Sequence, residues 1–301
     1  MTGIMAFKTA LHSVSYAGLW QGQARLALPD FLARAKTLGF DGVMLMAKRP
    51  HLSPLDYDAA KCRELRRRLD DLGLAVACLA GYTDFTLGLD RGDIPTREQQ
   101  VLYVRELSRL AQELRCPVVR VFTGYDDQRT PLDQQWAQCV AHLKECARQA
   151  AGFGVTVGVQ NHHDTAVHFD SLADLLDEID EPNCQAMYDA WAPALHGVDP
   201  VEGVRRLGPR IVHTTVADYV RRPRYRYQPA LVNYAREPDA IRAVPMGEGF
   251  IDYRSFFAAL AAAEYRGCVA YEMCSYLRGG GGEPNLDRGA ARFLEYMKAL
   301  K

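Results

Sequence analysis

Eight times along the chain a short apolar run, rich in β-branched residues, is followed by a longer amphipathic segment, and this alternation limits the fold more than any other feature. The strand-like runs lie at 7–13, 41–47, 74–81, 117–125, 156–160, 184–190, 210–218 and 268–274. Helical periodicity follows at about 29–40, 57–72, 96–114, 132–151, 171–179, 200–207, 252–265 and 287–300, with Thr96 and Ser171 as expected N-caps. Eight strand–helix units in one pass predict a single closed parallel (β/α)8 barrel over residues 1–301. A doubly wound open sheet is the alternative, disfavoured because no GxGxxG opens a helix after the first strand. The chain, at 301 residues, suits such a barrel, and its 48% hydrophobic content supplies the core.

Charge and cysteine content narrow the function. A formal net charge of -1 argues against a nucleic-acid binder, and no apolar run reaches the length of a membrane span. The start, MTGIMAFKTALHS, lacks the apolar block of a secretory signal. Eight cysteines without a CxxC pair are expected to be buried free thiols in a cytoplasmic protein.

The stretch TVGVQNHHD, 156–164, concentrates the chemistry. Its valines alternate with polar or small residues, and Gln160, Asn161, His162, His163 and Asp164 follow at the strand's end. In a barrel, catalysis occupies the C-terminal ends of the strands. Alternation points Gln160, Asp189, His213 with Thr215, and Glu272 inward from four neighbouring strands. Buried carboxylates at Asp189 and Glu272 need a compensating charge, and Lys and Arg are scarce in those strands. An oxygen-rich, nitrogen-containing set then predicts a divalent metal, Mn²⁺ foremost, with Mg²⁺, Co²⁺ or Fe²⁺ as alternatives, held by Gln160, Asp189, His213 and Glu272.

Two long connections flank this mouth. Residues 219–249 interleave six arginines with four tyrosines, and are read as a lid or substrate wall, or else as a solvated excursion. The run RGGGGEPN, 278–285, allows close backbone approach to a ligand or is a loose turn. Expected substrate contacts are His12, Lys48, His51, Arg120, Asn161, Arg224 and Glu248, with Arg49 a further candidate beside Lys48.

GFDGVMLM, VGVQNHHD, AMYDA, IVHTTVAD, VPMGEGFIDY and YEMCSYLRGGGGEPNLDR together resemble the xylose-isomerase-like barrel superfamily. That superfamily holds sugar isomerases and epimerases, inosose dehydratase and endonuclease-IV-type barrels. The resemblance implies a metal held by Glu, Asp, His and Glu on the last four strands. Asp189 and Glu272 match, but Gln160 replaces the first Glu. Counting back from Asp218 puts Thr215 at the histidine position, with His213 one inward step earlier and taken as the fourth ligand.

The implied activity is metal-dependent proton abstraction alpha to a carbonyl, through an enediolate, on a small carbohydrate. Gln160 cannot take a proton, so a symmetric two-glutamate epimerase is disfavoured. One base remains, Glu272, His162 or His163. The outcome is isomerisation or epimerisation, or alternatively loss of a β-substituent, as in lyases acting on keto-sugars and 3-oxo-glycosides. A phosphodiesterase and a non-catalytic sugar-binding barrel are rival readings. A homo-oligomer or a complex with a second subunit is expected.

Overall fold

A computed structural model describes residues 7–88 and 92–300. Eight strands form a closed, all-parallel barrel: β1 (Lys8–His12), β2 (Gly42–Met46), β3 (Ala75–Ala80), β4 (Val118–Val121), β5 (Thr156–Gln160), β6 (Cys184–Met187), β7 (Ile211–Val216) and β10 (Cys268–Tyr271). Two more strands, β8 (Asp218–Gln228) and β9 (Asn233–Val244), form a separate antiparallel ribbon between β7 and the last helices. Around the barrel order, β1 is followed by β10, β7, β6, β5, β4, β3 and β2. β1 closes the ring by pairing Lys8 with Cys268 on one side and Ala10 with Gly42 on the other.

The main helices are α1 (Leu28–Leu38), α2 (Ala59–Leu72), α3 (Thr96–Glu113), α4 (Leu132–Ala151), α5 (Phe169–Ile179), α6 (Trp191–Leu195), α7 (Pro200–Leu207), α8 (Tyr253–Ala262) and α9 (Glu283–Ala299). Their ends follow local chemistry. Asp58 caps α2 by accepting from the Lys61 amide at 2.9 Å, and Gly73 ends it in the left-handed conformation that only glycine adopts without strain. Asp199 caps α7 at 2.9 Å, just before Pro200. The expected caps Thr96 and Ser171 are not caps. Thr96 is the first residue of its helix after Pro95, and α5 starts two residues before Ser171, capped by the His168 ring at 3.2 Å. None of the described helices is long and apolar enough to cross a membrane.

Period-two alternation sorts the strands into two apolar layers. Val157, Val159, Val119, Val121, Val269 and Tyr271 face the helices and belong to the large outer core. The lumen is lined by smaller side chains, among them Ala10, Ala77, Cys78, Ala80 and Ala270, with Met44, Val118 and Met187. Gly158 is part of this narrowing, since a Cβ there would lie 3.1 Å from Val118 Cγ1. Small residues on these staves leave space for long polar side chains from the others.

The eight cysteines are free thiols, as expected, and six are buried, but Cys268 is half-buried and Cys274 exposed. Residues 219–249 are not an irregular loop. Most of the stretch is the ribbon, with Asp218 opposite Val244 and Gln228 opposite Asn233. In the glycine run, Gly279 and Gly280 take φ of 95° and 93°, and a Cβ on Gly281 would lie 2.5 Å from the Gly22 carbonyl oxygen. That run is a close-packed crossing of two chain segments.

Candidate active site at the C-terminal mouth of the barrel

Asp189, two residues past β6, is fully buried, and its carboxylate is held by neutral donors. The Thr215 amide donates to Oδ1 at 2.7 Å, and the Thr215 hydroxyl donates to Oδ2 at 2.6 Å. The Gln160 amide nitrogen donates to the same Oδ2 in close contact. Asn161 clamps the strand ends: its Nδ2 donates to the Asp189 carbonyl at 2.9 Å, and its Oδ1 accepts from the Asp189 amide at 2.7 Å. Burial lifts the Asp189 carboxyl to about 7, opposed by the Thr215 and Gln160 bonds and reinforced by Glu272.

Gln160 has its orientation fixed by two unlike neighbours. Its NH₂ faces Asp189 and Thr215, and its Oε1 accepts from Arg120 Nη1 at 3.2 Å. Turning the amide over would set oxygen against carboxylate and NH₂ against guanidinium. Arg120 comes from β4 and is almost completely buried. Its Nε and Nη2 donate to the Gly81 carbonyl at 3.3 and 3.0 Å, and its plane lies over the Phe122 and Tyr82 rings at 4.2 and 4.7 Å. Arg120, Gln160, Asp189 and Thr215 thus form one continuous hydrogen-bonded chain across the lumen.

Above it opens a cavity of about 210 Å³ lined by Gln160, His162, Trp191, Thr215, Tyr219, Ile241, Glu272, Cys274 and Ser275, with the backbone of β7's end. Glu272 directly follows β10 and is the one carboxylate among the described lining residues. Burial raises its pKa, against the pull of Arg120 and of bonds with Cys274 and Thr215. His162 also lines the wall, edge-on to Trp191 with ring centres 5.6 Å apart. Burial, with His163 and Arg120 nearby, lowers its pKa to about 3, so the imidazole is neutral at ordinary pH.

Several expected site residues lie elsewhere. His213 is one pleat deeper than Thr215, with its Nε2 buried and without a hydrogen-bond partner among the described residues, and Thr215, not His213, stands beside Asp189. His163 takes φ 58° and is wedged between Phe122 and Tyr125, with ring centres 4.1 and 4.2 Å away, outside the cavity lining. His51 spends both ring nitrogens on Ser13 Oγ and the Leu26 carbonyl, at 3.0 and 3.1 Å. His12 caps a turn by accepting from the Val14 amide at 3.1 Å. Lys48 lies over the Tyr82 ring at 3.8 Å, and Arg49 pairs with Asp56 at 2.6 Å. Arg224 is exposed on the ribbon, and Glu248 pairs with Arg278. Neither lines the cavity. Of the tyrosines expected in a substrate wall at 219–249, Tyr219 does line the cavity, whereas Trp191 carries no sequence signal beyond standing two positions after Asp189.

Of the four residues expected to hold a metal, Gln160 touches Asp189, but Thr215 takes the place expected of His213. Both Asp189 oxygens and Gln160 Oε1 already accept N–H or O–H donors, the strand-seven donor is a hydroxyl, and a guanidinium sits next to the set. Among the described residues no three His, Cys, Asp or Glu side chains are grouped so as to hold a metal ion. The residues present do not fit a divalent cation.

A family model described as "Xylose isomerase-like TIM barrel" matches residues 32–300. An L-ribulose 3-epimerase of Methylomonas sp. (strain DH-1) is 24% identical over 281 residues, covering 90% of this chain and 87% of the relative. A putative L-ribulose-5-phosphate 3-epimerase of Escherichia coli (strain K12) is 28% identical over 255 residues, covering 82% and 84%. Among solved structures, D-psicose 3-epimerase from Clostridium cellulolyticum H10 with D-tagatose superposes with a TM-score of 0.74 at 17% identity, over 97% of this chain and 99% of that one.

Proposed function

Because the chain belongs to the xylose isomerase-like TIM barrel family, we propose that it is a carbohydrate isomerase or epimerase that takes a proton from the carbon alpha to a substrate carbonyl. The single observation that carries this reading is Glu272, a carboxylate of raised pKa opening on a small cavity. Raising the pKa of a carboxylate toward the working pH strengthens it as a base. Two relatives that align over most of both chains are named as an L-ribulose 3-epimerase and a putative L-ribulose-5-phosphate 3-epimerase, which supports a ketose or ketose phosphate as substrate class.

Glu272 removes the proton, and negative charge develops on the carbonyl oxygen as an enediolate forms. Neutral His162, in the same lining, donates an N–H to that oxygen. Trp191 and Tyr219 supply flat apolar faces for the C–H side of a sugar ring. The cavity, about 210 Å³, is smaller than drug-sized pockets of ~300–1,000 Å³ and suits a monosaccharide. Gln160 cannot serve as a second base, so Glu272 handles the proton alone. Return of the proton to the neighbouring carbon gives isomerisation. Where the substrate bears a leaving group beta to the carbonyl, the same enediolate expels it, which favours a lyase or dehydratase as the second reading.

The test is a panel of ketoses, ketose phosphates and 3-oxo-glycosides incubated in D₂O, with deuterium uptake followed by NMR and mass spectrometry. At least one class should exchange, Glu272→Gln should abolish exchange, and that variant should still bind the same compound. A panel with neither exchange nor product, using folded wild-type protein, would sink the proposal. An elimination product rather than an exchanged ketose would select the lyase reading.

A further inference from the structure

We infer that this barrel centre carries its own cation: Arg120, acting through the Gln160 amide, compensates Asp189 and Glu272 in place of a divalent metal, and the chain binds no such metal there. Two inward carboxylates in one lumen need compensation, because an unpaired buried charge is costly. The strands that bear them supply none, and β4 does. The Arg120 side chain has room because its register partners, Ala80 and Gly158, are small, and Ala10 and Ala270 add little bulk to the lumen. Its guanidinium is held by the Gly81 carbonyl and by the Tyr82 and Phe122 rings, so its position is built and does not depend on the carboxylates.

The neutral groups are matched to it. A glutamate at position 160 would put a third carboxylate beside Asp189, whereas the Gln160 amide gives its oxygen to Arg120 and its NH₂ to Asp189. A histidine at position 215 would direct a ring nitrogen at a cation, whereas Thr215 donates both backbone and hydroxyl protons to Asp189. Each of these groups turns a donor toward Asp189, and both Asp189 oxygens and Gln160 Oε1 are taken in doing so. Arg120 does not line the cavity, so it is a positioning residue and not a catalytic one.

This inference stands apart from the carbohydrate reading, since metal binding is measured without a substrate. Purified full-length protein should carry no stoichiometric Mn²⁺, Co²⁺ or Fe²⁺ by elemental analysis. Titration calorimetry with MnCl₂ should give no saturable binding, and neither EDTA nor MnCl₂ should move the melting temperature. Saturable, stoichiometric Mn²⁺ binding by the wild-type chain would overturn the inference. A second arm compares Arg120→Met with Arg120→Lys. The Met variant should lose on the order of 100-fold in its folding equilibrium at pH 7, less at pH 5.5 where carboxylates take protons, and the Lys variant should recover most of the loss. A Met variant with wild-type stability and an unchanged pH slope would overturn it equally. Should that variant not fold, the wild-type metal measurement decides.

Discussion

Asp189 illustrates how much of the mouth is determined by hydrogen-bond polarity. All its side-chain partners are donors, so replacing one carboxylate oxygen by NH₂ opposes donor to donor. Asp189→Asn should therefore cost about 1–3 kcal/mol, read as a lower urea midpoint at unchanged m-value. The inward positions of Gln160, Asp189 and Glu272 were legible because a strand has a period of two and each lies at a strand's end. The choice between His213 and Thr215 was not, since both point inward and only depth separates them. Arg120 was visible as a candidate contact but not as the counter-charge. Which long side chain crosses a lumen depends on small residues on staves far apart in sequence, and no local pattern reports that.

Among the elements, the ribbon departs most from its sequence reading. Its alternation, in Tyr225, Arg226 and Tyr227 opposite Arg236, Ala235 and Tyr234, is a strand signal that prolines at 223, 229 and 238 obscured. The ladder shifts register between Arg222 and Arg224, where Pro223 has no N–H to give. A two-stranded ribbon is marginal alone in water, so its root must be tied down. Asp218 does this: its carboxylate accepts from the Tyr219, Gly247 and Gly249 amides at 3.0, 2.9 and 2.8 Å. Gly249 has no room for a side chain, since a Cβ would fall 1.8 Å from Asp218 Oδ1. Asp218→Ala should lower stability by about 1–3 kcal/mol and speed tryptic cleavage between Arg221 and Arg226, seen by mass spectrometry, with the barrel's far-UV spectrum retained.

At the level of the whole molecule, the buried histidines set the response to acid. His12, His51, His162, His163 and His213 are all held below the ordinary imidazole value by burial. Below pH 6.5 the unfolded chain takes protons that the folded chain refuses, so their contribution is present above that pH and is lost as pH falls. Asp189, Asp218 and Glu272 are raised and oppose this, because the folded chain takes up their protons first. The histidines outnumber them, so urea stability should fall from pH 7.5 to 5, at about 1.4 kcal/mol per pH unit for each proton left uncompensated. His213→Leu should make that slope shallower by close to one proton; a slope as steep as wild type would show that His213 charges freely in the folded state. The architecture was legible as a whole, since eight repeats of one pattern admit few closed arrangements. The barrel's seam has a consequence for synthesis. Its opening stave waits beside a vacant edge until β10 emerges, and only then does the stave leading into Glu272 slot in. A chain clipped before that stave therefore lacks both a wall and the one carboxylate among the described pocket residues, and the ability to do chemistry arrives in the same moment as closure.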